Sequence, residues 1–418
     1  MPKLRFPEFH STGKWQEYRL DEIADRITDK VGDKELTTLS ISAGTGFVSQ
    51  VEKFSRDISG KQYENYIHLR KGDFAYNKGN SKKFPQGCIY ELNEYEEAAV
   101  PNVFIIFHFN DDYLSSFYKG YFENNFHGKQ LTKFITSGAR SDGLLNISPT
   151  DFFSIILPTP KEKEEQQKIA ECLSSLDELI TAEDKKLEAL KAHKKGLMQK
   201  LFPAEGETVP EWRFPEFRGG GEWDESNFEN FIKLYRGSSP RPIQNYLTKN
   251  NGVNWIKIGD TKNADGFKIR NVKEMITEEG AQKSRFVTSG ELILANSMSY
   301  GKTYELELDG CIYDGWFVLR EYEKHFHKKF LLQQLNSDYL QKQYTSLSAG
   351  GVVQNISSDI VYVTILKCPQ LKEQQKIADF LSTVDELINA QAQKVKILRT
   401  HKKSLMQGLF AYIEEVSR

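Results

Sequence analysis

The segment EQQKIAECLSSLDELITA begins at Glu165 and EQQKIADFLSTVDELINA begins at Glu373, with thirteen of eighteen positions identical across an offset of 208 residues. In a chain of 418 residues that offset is half the length within one residue. RFPEF at Arg5–Phe9 returns at Arg213–Phe217, and Trp15 returns as Trp223. HKKGLMQKLF from His193 returns as HKKSLMQGLF from His401, with eight of ten positions identical. A repeat of this period constrains the fold before any element is assigned, because whatever one half builds the other must build too. Between the blocks the correspondence drifts: GCIY at Gly87 recurs at Gly310 (offset 223) and NIS at Asn146 recurs at Asn355 (offset 209). Two similar scaffold segments therefore frame two divergent inserts, roughly residues 24–157 and 232–366. A frame kept fixed while its cargo varies implies that the two cargoes recognise different things.

The scaffold segments read as long helices. Ile169, Leu173, Leu176, Ile180, Glu183, Leu187, Leu190, Lys194, Leu197 and Leu201 are spaced four and three apart in turn, a heptad seam. The second copy supplies Ile377, Leu381, Val384, Ile388, Gln391, Val395, Leu398, Lys402, Leu405 and Leu409, with its polar positions at matching places. Each helix spans about 40 residues, or roughly 60 Å. Thr159 is expected as the first helix's N-cap, with Pro160 at the first helical position and Glu162 closing a capping box. Pro203 should end that helix, whereas the second is expected to run on into AYIEEVSR. Both helices are acidic early (Asp177, Glu178; Asp385, Glu386) and basic late (Lys194, Lys195; Lys402, Lys403). Antiparallel pairing sets acid against base, although the same gradient also suits each helix's own dipole. It would place the inserts at opposite ends of a rod.

The inserts read as mixed α/β modules. Short apolar runs broken by Gly, Asn and Pro mark strands: GDFAYN, NVFIIFHF and FFSIILP in the first, VNWIKIGD, GELILAN and GWFVLR in the second. HKKFLLQQLNSDYLQKQY is helical. Net charge is −2, so a nucleic-acid surface must be a local patch. The best patches are loops at equivalent places. YNKGNSKKF gathers Lys78, Asn80, Ser81, Lys82 and Lys83, and ANSMSYGKT gathers Asn296, Ser299, Tyr300 and Lys302. Glycine-rich turns further on carry Arg140 and Ser141 in one half and Gln354 and Asn355 in the other, and YRGSSPRP adds Arg236, Ser238 and Arg241. Phosphates are bound by Lys, Arg and backbone N–H, and base edges by Arg, Asn, Gln and Ser; these loops hold both, though polar glycine loops also serve as plain turns. Tyr76, Phe84 and Tyr300 are candidates for stacking on bases.

Enzymatic motifs do not emerge. There is no phosphate-binding GxxxxGK[ST], no GxGxxG after a strand and no nucleophile with base and orienter. Cys88, Cys172, Cys311 and Cys368 make no CxxC and read as reduced core residues. No apolar run is long enough to span a membrane and no N-terminal signal pattern is present, from which a cytoplasmic protein is expected.

Taken together, RFPEF…W opening each half and P…EQQKIA…LS..DELI closing it, with a glycine loop before NIS, resemble the specificity subunit of type I restriction–modification systems over essentially the whole chain. The resemblance implies a mixed α/β (α+β) chain. Two globular target recognition domains would be separated by a long antiparallel two-helix coiled coil, with an internal pseudo-two-fold repeat. Residues 1–157 would hold an N-terminal segment and the first recognition domain, and 158–203 the central helix. Residues 204–366 would hold a linker and the second recognition domain, and 367–418 the C-terminal helix. Each domain would read half of a bipartite target in double-stranded DNA. The helices would set the unread spacer and dock two methyltransferase subunits, with motor-nuclease subunits completing the assembly. S-adenosylmethionine and ATP would enter with those partners, and this chain would need no cofactor and catalyse nothing. The N-terminal RFPEF should lie near the C-terminus. Two other classes remain open: a coiled-coil adaptor whose inserts bind proteins, and a stand-alone nuclease or methylase.

Overall fold

The computed structural model describes residues 1–79, 84–135, 144–297, 301–347 and 355–411. The chain divides into two units, Met1–Ala182 with Val395–Arg418, and Glu183–Lys394. Two helices of 39 residues each, Lys163–Leu201 and Leu371–Leu409, contribute a stretch to each unit. Ile169, Leu173, Ile180 and Leu187 are buried, as are Ile377, Leu381, Val384 and Val395, while Leu176, Leu190, Leu197, Ile388, Leu398 and Leu405 are half-buried. In the second unit Glu183 pairs with Lys394 at 2.6 Å and Lys194 with Asp385 at 2.7 Å, so residue numbers rise along one helix as they fall along the other. The helices are antiparallel. In the first unit Lys402, the repeat counterpart of Lys194, donates to Asp177 at 2.8 Å and to Glu123 at 2.9 Å. The polar seam position Gln391 donates to the Glu183 carboxylate at 2.7 Å and to its carbonyl at 2.9 Å. Of the polar seam positions, Glu183 and Gln391 thus pair with one another and Lys194 and Lys402 reach aspartates beside the seam, which specifies register where apolar residues alone would tolerate slippage.

Two end assignments need correction. Thr159 is the last residue of the strand Ile156–Thr159, not a helix cap, and the helix begins at Lys163. Thr159 is 1% exposed, and its hydroxyl sits 2.9 Å from the Tyr118 hydroxyl and donates to the Leu157 carbonyl at 3.1 Å, so it is engaged by the core and its own strand instead of a helix end. The second helix stops at Leu409, because Phe410 turns into the first unit's core against Phe117 and Tyr121. Phe202 does the same in the second unit, stacking on Phe330.

The polar residues that open the repeated blocks make matching contacts in the two units. Arg5 grips Glu165 through two hydrogen bonds of 2.7 Å, and Arg213 grips Glu373 through two of 2.7 Å. Both pairs are buried, with side-chain exposures of 7% and 0% in the first and 8% and 1% in the second. RFPEF and EQQ are therefore two halves of one clasp. The first glutamine ties the helix to its insert: Gln166 accepts from the Leu114 N–H at 3.1 Å, and Gln374 accepts from the His327 N–H at 2.8 Å. Those residues immediately precede the insert helices Ser115–Glu123 and Lys328–Leu335. The second glutamine stays on its own helix, Gln167 with Glu171 and Gln375 with Asp379. The tryptophans differ, since Trp15 donates to Glu165 at 3.1 Å whereas Trp223 packs edge-on to Phe202 and Phe330.

Each insert leaves and returns through one antiparallel strand pair: Gln16–Arg19 with Ile156–Thr159, and Asp224–Asn227 with Ile365–Cys368. Among the described residues, the first unit then builds a four-stranded antiparallel sheet in the order Ala24–Ile27, Ile105–Phe109, Phe74–Asn77, Cys88–Glu91. The second repeats that order with Lys233–Arg236, Trp316–Arg320, Leu292–Ala295 and Thr303–Leu306, and adds Lys268–Ile269 at the edge. A second five-stranded sheet, including Gly310–Ile312, completes that insert. The GCIY match is consequently not an equivalence: Cys88–Glu91 corresponds to Thr303–Leu306, and Gly310 lies in the other five-stranded sheet. FFSIILP is also split, with Phe152 and Phe153 in the short helix Pro149–Phe153 that Ser148 caps. The cysteines are free, three buried and Cys172 half-buried. No helix among the described residues is long and apolar enough to cross a membrane.

The first residues close on the last helix: the Leu4 N–H donates to the Gly408 carbonyl at 2.8 Å, as Trp212 N–H does to Lys200 carbonyl at 2.9 Å at the repeat-equivalent place. The clasp makes a direct prediction. Glu373→Ala leaves the Arg213 guanidinium buried without its partner, and should cost about 3–5 kcal/mol of stability. Urea denaturation of the variant against the parent chain checks this, and a loss below about 1 kcal/mol would remove the clasp from its structural role.

Candidate nucleic-acid interface

The same backbone device appears in both units. In the second, Asn296 follows the central strand Leu292–Ala295, and its carbonyl accepts from the Ile356 N–H at 2.7 Å, with Ser297 and Asn355 forming an antiparallel bridge. In the first, Lys78 follows Phe74–Asn77, its carbonyl accepts from the Leu145 N–H at 3.0 Å, and Gly79 bridges Leu144. The bridge draws the chain after the central strand onto the two residues before NIS in the first unit and onto the start of NIS in the second. The described flanks of the two sequence regions selected for recognition are thus neighbours in space. Just beyond each bridge, Ser148 and Ser357 cap short helices by accepting from the N–H of Asp151 and Ile360.

In the second unit a cleft of about 490 Å³ opens beside the bridge, and Arg236, Asn296 and Asn355 all line it. The turn Tyr313–Gly315 forms part of its wall. Asn296 is buried, and its side-chain amide donates to the Asp314 carbonyl at 2.9 Å. Arg236 is exposed and its Nε donates to the same carbonyl at 3.2 Å. Gly237 permits this close approach, since a Cβ there would fall 2.0 Å from the Tyr313 carbonyl oxygen. Asn355 is exposed at the cleft edge.

Other expected residues lie elsewhere. Ser238 donates to the Lys283 carbonyl at 3.3 Å. Arg241 is 83% exposed, 3.8 Å from Asp314. Lys302 is half-buried, and burial lowers its ammonium pKa, opposed by the charge of Asp338. Lys78 is half-buried. Asn80, Ser81, Lys82, Lys83, Arg140, Ser141, Ser299, Tyr300 and Gln354 lie outside the described residues. Tyr76 is not a base-stacking residue: it is fully buried, stacked on Phe152 at 4.5 Å, with its hydroxyl donating to the Gln86 carbonyl. Phe84 packs against the core of the first insert.

Several groups escaped sequence reasoning. Asp314 lines the cleft, and the Ser239 hydroxyl donates to its carboxylate at 2.5 Å from 75 residues away. Arg285 donates through Nε to the Arg236 carbonyl at 3.0 Å, and its guanidinium lies 5.6 Å from the centre of the Tyr235 ring. The Asp-Gly turn at Asp314–Gly315 was a legible signal; the arrival of Arg285 from a separate sheet was not. A carbonyl-anchored arginine stacked near a tyrosine is pre-organised for phosphate. Arg285→Ala should weaken binding to all duplexes alike and reduce the slope of log K against log salt by about 1. Filter binding across a salt series measures this, and an unchanged slope would exclude the contact.

The family model described as "Type I restriction modification DNA specificity domain" matches twice, over residues 13–192 and 221–399. The type I restriction enzyme MjaVIII specificity subunit of Methanocaldococcus jannaschii is 24% identical over 298 residues, covering 67% of this chain and 67% of that one. The MjaX specificity subunit of the same organism is 24% identical over 303 residues, covering 72% of this chain and 68% of its own. Among solved structures, a chain from a study of complex assembly and conformational transition of the type I R-M system superposes with a TM-score of 0.59 at 17% identity, over 98% of this chain and 99% of that one. The S subunit of the type I restriction-modification system from M. genitalium gives 0.58 at 14% identity, over 99% and 100%. These likenesses to solved chains concern the fold. With two matches that together cover most of its length, placed as the repeat demands, this chain belongs to the type I restriction modification DNA specificity domain family.

Proposed function

We propose that the chain reads a bipartite target in double-stranded DNA, one half-site per unit, and directs methyltransferase and restriction subunits to it in the cytoplasm without catalysing either reaction. One observation carries this reading. The clasp residues are the same in both units, whereas the loops gathered by the equivalent bridges differ, Lys78 in one standing where Asn296 stands in the other. Identical frames holding different polar loops suit a protein that reads two different short sequences, with linkage of the two modules raising the effective concentration of the second contact.

The repeated helices support two copies of one partner. In DELI, Asp177 and Asp385 are spent on Lys402 and Lys194, and Ile180 and Ile388 lie in the seam. Leu179 and Leu387 are 43% and 55% exposed, and the adjacent Glu178 and Glu386 are exposed too. An apolar side chain repeated at the same exposed place in each half fits a surface used twice. The partners in this reading are two methyltransferase subunits.

Mapping DNA methylation in cells that hold the methyltransferase subunit, with and without this chain, tests the reading. A bipartite adenine-methylated motif should appear only when the chain is present. Leu179→Asp with Leu387→Asp should leave DNA binding intact and weaken co-purification of the methyltransferase at least about ten-fold, a loss equal to one buried leucine or less per site. An unchanged methylation pattern without the chain would overturn the reading and favour an adaptor that binds proteins alone.

A further inference from the structure

We propose that Asp314 is a specificity-determining residue of the second unit, its carboxylate accepting a hydrogen bond from the exocyclic amino group of one base in the half-site. The inference rests on the DNA-reading function proposed above and goes beyond it to a single atom. Asp314 is held on three sides. Its carbonyl accepts from Arg236 at 3.2 Å and from Asn296 at 2.9 Å, and its Oδ1 accepts from the Ser239 hydroxyl at 2.5 Å. The side chain is nonetheless 41% exposed at the cleft. Among the described residues, the cation nearest to Oδ2 is Arg241 at 3.8 Å, on a side chain that is 83% exposed and so contributes little to holding it. Ser239 fixes the carboxylate, and among the described residues no donor hydrogen-bonds to Oδ2.

The charge is what requires explanation. An asparagine would receive the Ser239 hydroxyl equally well and leave the backbone bonds untouched. A carboxylate in a surface that meets DNA repels phosphate, whose oxygens are also acceptors only, so no backbone contact compensates it. Base edges do offer the missing donor. Cytosine N4 and adenine N6 present amino hydrogens in the major groove, and guanine N2 presents them in the minor groove. With Arg236 lining the same cleft to hold a phosphate, Asp314 faces whichever base lies there. Its fixed position makes it a discriminator, because a base lacking the amino group leaves a desolvated carboxylate unpaired.

The test is selection of duplexes from a randomised library by the full chain assembled with its methyltransferase partner, comparing the parent with Asp314→Asn and Asp314→Ala. Both variants should lose discrimination about ten-fold at one position of one half-site. The other half-site should be unaltered, which also reports that the variants are folded, and affinity for non-target DNA should be undiminished. The base is then identified with targets carrying purine for adenine, 2-pyrimidinone for cytosine or inosine for guanine. The analogue that weakens the parent but not Asp314→Asn marks the amino group. A motif unchanged at every position in both variants, or a uniform change in affinity, would overturn the role of Asp314 while leaving the DNA-reading function standing. A parent that selects no sequence would overturn both.

Discussion

The buried bidentate pair between the arginine of RFPEF and the first glutamate of EQQKIA is the interaction on which the rest of the structure depends. It joins residues 160 apart in each half, Arg5 to Glu165 and Arg213 to Glu373. Both side chains of each pair are largely shielded from water, so each charge depends on the other being in place. That mutual requirement sets the direction in which the long helix leaves the module. The neighbouring glutamine then satisfies a backbone N–H of the insert, at Leu114 or His327, and so fixes the insert against the same helix. A short block of sequence thereby specifies three things at once: the closure of the module, the start of the helix and the seat of the insert.

What was legible follows from this economy. The clasp, the helix and its polar seam positions are local in sequence and written twice, so the repeat made them visible and the heptad made their faces readable. Thr159 shows the limit. Its sequence context is that of a helix cap, but Tyr118, 41 residues away, supplies a buried hydroxyl partner, and the strand runs through it instead. GCIY shows another limit, for four apolar and small residues suit many strands and carry no information about which sheet receives them. The order of the four shared strands was invisible in the letters and becomes evident only from their pairing.

The site was legible as regions and not as roles. Composition identified the loops, because glycine with Arg, Asn and Ser is what a close approach to a polar polymer requires. It did not separate groups that build the cleft from groups that face its contents. Asn296 looks like a reader of bases, yet its amide is engaged with the Asp314 carbonyl. Asp314 looks like an ordinary turn residue, yet it presents the free acceptor. Arg285 comes from 49 residues beyond Arg236 and meets its carbonyl through a pairing that no short motif encodes. Such non-local assignments are the part of a recognition surface that diverges fastest from any pattern, since only the scaffold beneath them is constrained to repeat.

The central claim is that one frame holds interchangeable readers, and exchanging the modules tests it most directly. The Leu20 N–H donates to the Ile155 carbonyl at 2.9 Å, and the Phe228 N–H donates to the Thr364 carbonyl at 2.8 Å, which marks equivalent graft points in the two units. A chain in which residues 228–364 are replaced by a second copy of residues 20–155 keeps both clasps and carries the same reader twice. Mapped by methylation in cells with the partner subunits, its target should be an inverted repeat of one parental half-site. A chimera that folds but keeps the parental asymmetric target, or methylates no defined sequence, would contradict the account.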